Sequence, residues 1–240
     1  SPLRQQAGIE TRTHDYGQTA IVANLTPSRH HDYTAYERFT PHGPLALLPM
    51  RDRRCVSIFT VPGHRAGEYL DLAEDAYLDV LGRYFGRRLG RLEQLGTRKA
   101  YPLVSVRARE QYRGRLLLLG NAAHTLHPNG AQGFNLALRD AAALAEILIR
   151  GADSGRDPGE EDLLERYSRS RRDDQARVIG FTEGIGHLFY SDAFLKRCCR
   201  GLGMQLLDAS PALKQMFASM AMGDYGRQPG FARGLGPGQI

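Results

Sequence analysis

The 240-residue sequence contains no tryptophan, three cysteines and no apolar run that approaches the length of a bilayer span. Neither a transmembrane helix nor a disulfide framework therefore organises it. Cys55 and the adjacent Cys198 and Cys199 have no metal-ligand spacing, and no His-x-Glu, Cys-x-x-Cys or paired-His pattern occurs, so no metal site is expected. Reduced thiols and a cytoplasmic setting are the plain reading. A signal-peptide pattern, an initiating Met and a Gly-x-Gly-x-x-Gly turn followed by an acidic residue are all missing. The last of these removes the strand-turn-helix unit that holds the ADP half of a dinucleotide.

What is present is a globular composition, with 42% hydrophobic residues, enough to bury a sizeable core. The formal net charge is +6. The basic residues fall in short clusters such as Arg51-Arg53-Arg54, Arg87-Arg88 and Arg169-Arg171-Arg172. That scatter reads as a solvated surface, not a nucleic-acid footprint, and leaves attraction to an anionic membrane face or acidic partners open.

The most informative stretch is 120–140. An apolar run at 116–119 leads into a glycine-rich turn. A helix follows, with Leu136, Leu138, Ala141, Ala142, Leu144, Ala145, Ile147 and Leu148 at helical spacing up to a stop at Gly151. Strand, glycine turn and helix together aim unpaired N–H groups and the positive end of a helix at an anionic group. Elsewhere, 19–25, 33–39, 45–49 and 55–61 read as consecutive antiparallel strands and 68–85 as one covering helix. Residues 100–106 read as a further strand and 153–160 as a polar loop. Residues 163–191 read as a helix with Arg169 to Arg172 on its wet face, and 193–222 as helices with an apolar side for packing or for an interface.

Residues 120–140 resemble the second flavin-binding signature of the aromatic-ring hydroxylases, the flavoprotein monooxygenases related to para-hydroxybenzoate hydroxylase. In that signature Gly-Asp-Ala-Ala-His is followed by a spacer with Pro, a small residue before Gln or Lys, Gly-x-Asn and a later Asp. Ala122, Ala123, His124, Pro128, Ala131, Gln132, Gly133, Asn135 and Asp140 fall in register. Asn121 replaces the usual Asp, as is common in the ubiquinone-biosynthesis branch. Residues 1–9 resemble the end of the family's middle motif, Ser-x-x-Arg-x-x-x-Gly, through Ser1, Arg4 and Gly8. Residues 36–50 resemble the segment Glu-Arg-Phe-Thr-x-His-Gly-Pro-Leu-Ala-x-Leu-Pro of the ubiquinone-biosynthesis hydroxylases, above all those acting on 2-polyprenyl-6-methoxyphenols. The likeness continues through Tyr101-Pro102-Leu103 and Arg166-Tyr167 to about residue 222.

The resemblance implies an α/β fold like para-hydroxybenzoate hydroxylase without its N-terminal Rossmann unit, the chain being the C-terminal piece of a longer enzyme. Residues 1–16 would end the N-terminal FAD-binding half and 17–110 would form an antiparallel or mixed substrate-domain sheet. Residues 111–152 would complete the FAD-binding domain, 153–222 would be C-terminal helices and 223–240 a flexible tail. FAD would be held by Arg4, Asn121, Pro128, Gly130, Ala131, Gln132, Gly133, Phe134 and Asn135, with a reduced nicotinamide nucleotide, NAD(P)H, as electron donor and O2 as co-substrate. Because the chemistry is the flavin's, no catalytic acid or base is expected; His42 and Tyr101 are candidate phenol contacts. Leu45, Leu47 and Pro49 would wall a pocket for a prenyl tail. His124 and His127 flank the turn and read as hydrogen-bonded structural residues before proton shuttles.

The implied activity is FAD-dependent hydroxylation of a polyprenylated methoxyphenol in ubiquinone biosynthesis. The rivals are a sister hydroxylase at another ring position or on a soluble phenol, a flavin reductase that never activates oxygen, and a non-catalytic interaction module. A homo-oligomer, a ubiquinone-biosynthesis complex or peripheral contact with the inner membrane face are the partners to consider.

Overall fold

A computed structural model of the chain describes residues 1–129, 132–189, 194–223 and 228–236, with the side chains of 187–200 outside that description. It divides into two compact units. One is built around Asp15–Leu103; the other takes in Ser1–His14, Val104–Leu188 and the described residues beyond 193.

The first unit is a sheet with a helix over one face. Its strands are β1 (Thr11–Pro27), β2 (Tyr36–Thr40), β3 (Gly43–Pro49) and β4 (Cys55–Pro62). They pair antiparallel in the order β2-β3-β4-β1, with Leu45 opposite Phe59 and Ile21 opposite Phe59 in the neighbouring ladders. All four expected strands are there, β1 extended well beyond 19–25. The β3–β4 turn closes through two consecutive left-handed residues, Asp52 and Arg53, with Met50 N–H bonded to the Arg54 carbonyl at 2.7 Å.

The single helix expected over 68–85 is two helices, α2 (Ala66–Leu70) and α3 (Glu74–Phe85). The break has a hydrogen-bond cause. Arg98 donates to the carbonyls of Tyr69 and Leu72 at 2.8 and 2.6 Å, satisfying the groups a continuing helix would have used. Ala73 turns extended, and Glu74 accepts the Leu95 N–H at 2.9 Å, which ties the start of α3 to the chain after β5 (Leu92–Glu93). Ile21, Leu25, Leu45, Leu47, Phe59, Tyr77, Leu81 and Phe85 are all fully buried in the core between α3 and the sheet.

In the second unit, α1 (Pro2–Gln6) is followed by the N-terminal residues of β1, and the last residues of β6 (Lys99–Ala108) pair with β9 (His124–Thr125). The apolar run at 116–119, expected as a strand before the turn, is strand only in its first half. Only β8 (Leu116–Leu117) is strand, in a hairpin with β7 (Tyr112–Arg113) around left-handed Gly114. A 3-10 turn at Gly120–Ala122 and β9 then intervene before α4 (Gln132–Asp153). Gly120 is required at that turn: its φ is +55° and a Cβ there would lie 3.4 Å from Ala137 of α4. Leu118 is buried with Ile9 and Ala123 in a small satellite core.

Helix α5 (Glu161–Phe189) buries Leu163, Leu164, Tyr167, Val178 and Ile179. The wet face assigned to Arg169 to Arg172 holds for Arg169 and Arg172 but not for Arg171, which is 3% exposed. Helices α6 (Phe194–Ala209) and α7 (Pro211–Met222) form as expected, yet the apolar side chains Leu202, Met204, Leu206, Met216 and Met222 are exposed. Residues 223–240 are not a loose tail throughout. Pro229 and Gly230 are buried, a 3-10 turn spans Phe231–Arg233, and Phe231 N–H bonds Glu146 of α4 at 2.8 Å.

Candidate functional site

The candidate site grows from the N-terminal end of α4. A 22-residue helix leaves its first N–H groups without intrahelical partners, and no acidic side chain occupies its first turn. Gly133 lies there, and a Cβ built on it would meet nothing within 4 Å. Phe134 is 73% exposed, and Pro128 and Asn121 are exposed as well. Asn135 is half-buried. Gly130 and Ala131, expected in the same cradle, lie outside the described residues. The Gln132 side chain, expected against the cofactor, donates its amide to the Ala221 carbonyl of α7.

Arg4 comes to this side of the unit from α1, its Nη1 donating to the Ala122 carbonyl at 2.9 Å. Its Nε is buried with no hydrogen-bond partner among the described residues. His127 is buried, its Nδ1 accepting the Asn129 N–H at 3.3 Å, while Asn129 Nδ2 donates to Thr182 of α5 at 3.4 Å. Burial lowers the His127 pKa to about 4, so the ring is neutral at physiological pH.

Behind the turn lies a buried ionic cluster that the sequence reading missed. Asp140 is fully buried and takes three partners: His124 Nε2 at 2.7 Å, Arg171 Nε at 2.6 Å and Gln175 Nε2 at 3.0 Å. Arg171 also pairs with Asp174, which accepts Arg139 Nε at 2.9 Å. Burial opposes charge on Arg171, but Asp140 and Asp174 more than offset it and raise its pKa. Burial likewise disfavours the Asp174 carboxylate, and Arg139 and Arg171 overcome it to hold the pKa low. The signal was in the sequence, because Leu163, Tyr167, Arg171 and Gln175 share one face of α5 at four-residue spacing.

In the sheet unit, Leu45 and Leu47, expected as pocket walls, are fully buried core residues under α3, because odd positions of β3 face the helix. Pro49 is half-buried at the strand end. The open apolar face belongs to the alternate positions. Ala46 is paired with Ile58 and Leu48 with Val56, all four half-buried, and Val22 lies opposite Ile58 on β1. A run apolar at every position rather than every second one was the signal for two apolar faces. His42, half-buried, packs edge-on against Tyr84 of α3 with centroids 5.8 Å apart, on the core side. Tyr101 on β6 is 52% exposed. Among the described residues no group of His, Cys, Asp and Glu has metal-binding geometry.

The sequence profile of the FAD binding domain matches residues 1–182. The chain is 38% identical over 223 residues to the ubiquinone hydroxylase UbiL of Rhodospirillum rubrum, covering 93% of this chain and 52% of that protein. It is 30% identical over 223 residues to the ubiquinone hydroxylase UbiM of Neisseria meningitidis, covering 93% of this chain and 48% of UbiM. It thus spans about half the length of the curated relatives it matches. Among solved structures, the Diels-Alderase PyrE3 superposes with a TM-score of 0.72 at 23% identity, over 95% of this chain and 49% of PyrE3. The p-nitrophenol 4-monooxygenase PnpA of Pseudomonas putida does so with a TM-score of 0.71 at 18% identity, over 92% of this chain and 55% of PnpA. At these identities the structural likeness establishes the fold alone, α/β with an antiparallel sheet, shared with PyrE3 and PnpA.

Proposed function

Since the chain belongs to the FAD binding domain family, we propose that the protein it is part of is an FAD-dependent monooxygenase that hydroxylates a polyprenylated methoxyphenol in ubiquinone biosynthesis. NAD(P)H is the electron donor in this reading and O2 the second substrate. The observation that carries it is the open first turn of α4. It offers the positive end of a 22-residue helix, a glycine whose Cβ would meet nothing within 4 Å among the described residues, and no acidic side chain to repel an anion.

The described residues fit FAD. The buried Arg4 Nε has no partner among the described residues, and the open space at Gly133 allows close approach of a flat ring. Arg4, Asn121, Pro128, Gly133, Phe134 and Asn135 would hold it, Gln132 through its backbone, with Gly130 and Ala131 assigned to the same cradle by resemblance. Bound there and reduced by NAD(P)H, FAD would supply the electrons by which O2 is split, one oxygen atom going to an electron-rich phenol ring and the other to water. The N-terminal end of α4 favours negative charge on the ligand it faces. Phe134, 73% exposed, presents an aromatic face that a bound ring would cover. His127, neutral and hydrogen-bonded, fixes the turn before the helix and carries no charge at neutral pH.

The substrate reading rests on the names of UbiL and UbiM and on the apolar open face of the sheet. Ala46, Leu48, Val22, Val56 and Ile58 can take a prenyl tail, each buried CH2 contributing about 0.8 kcal/mol. Membrane contact or a biosynthetic complex would deliver such a lipid. The test is a series of methoxyphenols with shortened prenyl tails, assayed with the full-length protein. KM is expected to rise steeply as the tail shortens while kcat changes little. Equal kcat/KM with and without the tail would favour a soluble phenol.

A further inference from the structure

The cofactor turn hangs between two stems, β9 before it and α4 after it, and the buried Asp140 carboxylate touches both. Its Oδ2 accepts from His124 of β9 at 2.7 Å, across sixteen residues of chain, while Asp140 itself stands in the third turn of α4. The same carboxylate is reached from α5 by Arg171 at 2.6 Å and Gln175 at 3.0 Å. Asp140, Arg171 and His124 are 0%, 3% and 4% exposed, so the three are out of solvent together. Burying these groups is costly, and the arrangement is stable only because every charge is matched. Removing water from such a cluster gives little net stability, since a well-packed apolar cluster would do as well. What an ionic cluster provides over an apolar one is fixed direction at each bond.

We propose that Arg171 is a positioning residue for the flavin site. Through Asp140 it holds β9 against α4, the elements on either side of the expected cofactor cradle, before the cofactor arrives. This rests on the FAD reading above and adds to it a role for α5, which contributes no residue to the expected cradle. The bond to Asp140 also fixes His124. Nε2 faces the carboxylate, and Nδ1 is buried with no partner among the described residues. Arg171 carries a second tie to Asp174, itself paired with Arg139 of α4, so α4 is held to α5 at two carboxylates. A ligand that meets elements already held in place loses less conformational entropy on binding than one that must order them.

The test uses the full-length protein with FAD, read by dissociation constant, visible flavin spectrum and Tm. Arg171→Met is expected to weaken FAD binding at least about tenfold at a temperature where it remains folded, with an altered flavin spectrum, and Arg171→Lys to recover part of the loss. Exposed Arg169→Met, whose guanidinium pairs with Glu165 and makes no tie to the Asp140 cluster among the described residues, should bind as the wild type does. If Arg171→Met does not fold, Gln175→Leu takes one hydrogen bond from Asp140 and leaves both ion pairs; about threefold weaker binding is expected. A lower Tm with an unchanged dissociation constant and spectrum in the folded variant overturns the proposal. Wild-type protein that binds no FAD overturns the proposed function as well, so the two failures are distinguishable.

Discussion

The side-chain amide of Gln132, the first residue of α4, donates to the carbonyl of Ala221 near the end of α7. Two residues further on, Gly223 caps α7 in the left-handed conformation, φ +73°, and a Cβ there would stand 2.4 Å from Arg139 Nη1. The end of α7 is thus fitted against the start of α4 with no room for a side chain. Gly223→Val should cost at least about 1 kcal/mol from the backbone conformation alone, and more from displacing Arg139. The measurement is a Tm and urea midpoint of the full-length variant. An unchanged midpoint would show that α7 does not dock in this way.

Gly133→Val should behave differently. A Cβ at Gly133 meets nothing within the described protein, and valine has a helix propensity no worse than glycine's, so the fold should survive. Flavin content should nonetheless fall to near zero, because the branched side chain fills the space assigned to the cofactor. Asn121→Asp, at an exposed position, should retain flavin. Full flavin occupancy in Gly133→Val would remove the first turn of α4 from the cofactor site.

Tyr77 is fully buried, and its hydroxyl has no hydrogen-bond partner among the described residues, while Arg98 lies over its ring at 5.0 Å. Tyr77→Phe keeps the ring and the cation contact and removes an unsatisfied polar group. It should leave stability unchanged or raise it by about 1 kcal/mol, measured by denaturant unfolding. A loss above that size would mean that the hydroxyl is bonded in solution.

Acid should destabilise the protein partly through His127. Its pKa in the fold, about 4, lies below the ordinary 6.5, so the unfolded chain takes up this proton first as pH falls. Stability from this group is complete above 6.5 and is lost progressively from there down to about 4, by up to about 1.4 kcal/mol per pH unit. His127→Asn should flatten that limb by about one proton in a plot of unfolding free energy against pH. An identical slope in the variant would contradict the neutral, buried assignment.

Much of this architecture was legible in the residues. Alternation and turn residues located β1 to β4, and the period of Leu136 to Leu148 located α4, because both patterns follow directly from which face meets the core. The break between α2 and α3 was not legible, since Arg98, which satisfies the freed carbonyls, lies about 26 residues downstream in sequence. Leu45 and Leu47 were assigned to the wrong face for a related reason: β3 is apolar on both sides, so composition could not choose, and only the register against α3 does. His124 read as structural, and its bond to Asp140 agrees. Arg171 was read as wet because charge outweighs periodicity in a sequence, and its two acidic partners become visible only once α4 and α5 are paired.

The central claim is oxygen insertion into a phenol. Full-length protein should be incubated with FAD, a reduced nicotinamide nucleotide and a polyprenylated methoxyphenol under 18O2, and the product mass read. The account predicts a hydroxylated product carrying one labelled oxygen atom, formed only when the reduced nucleotide is present. Oxidation of the nucleotide without any oxygenated product, or a product whose oxygen comes from water, would contradict it.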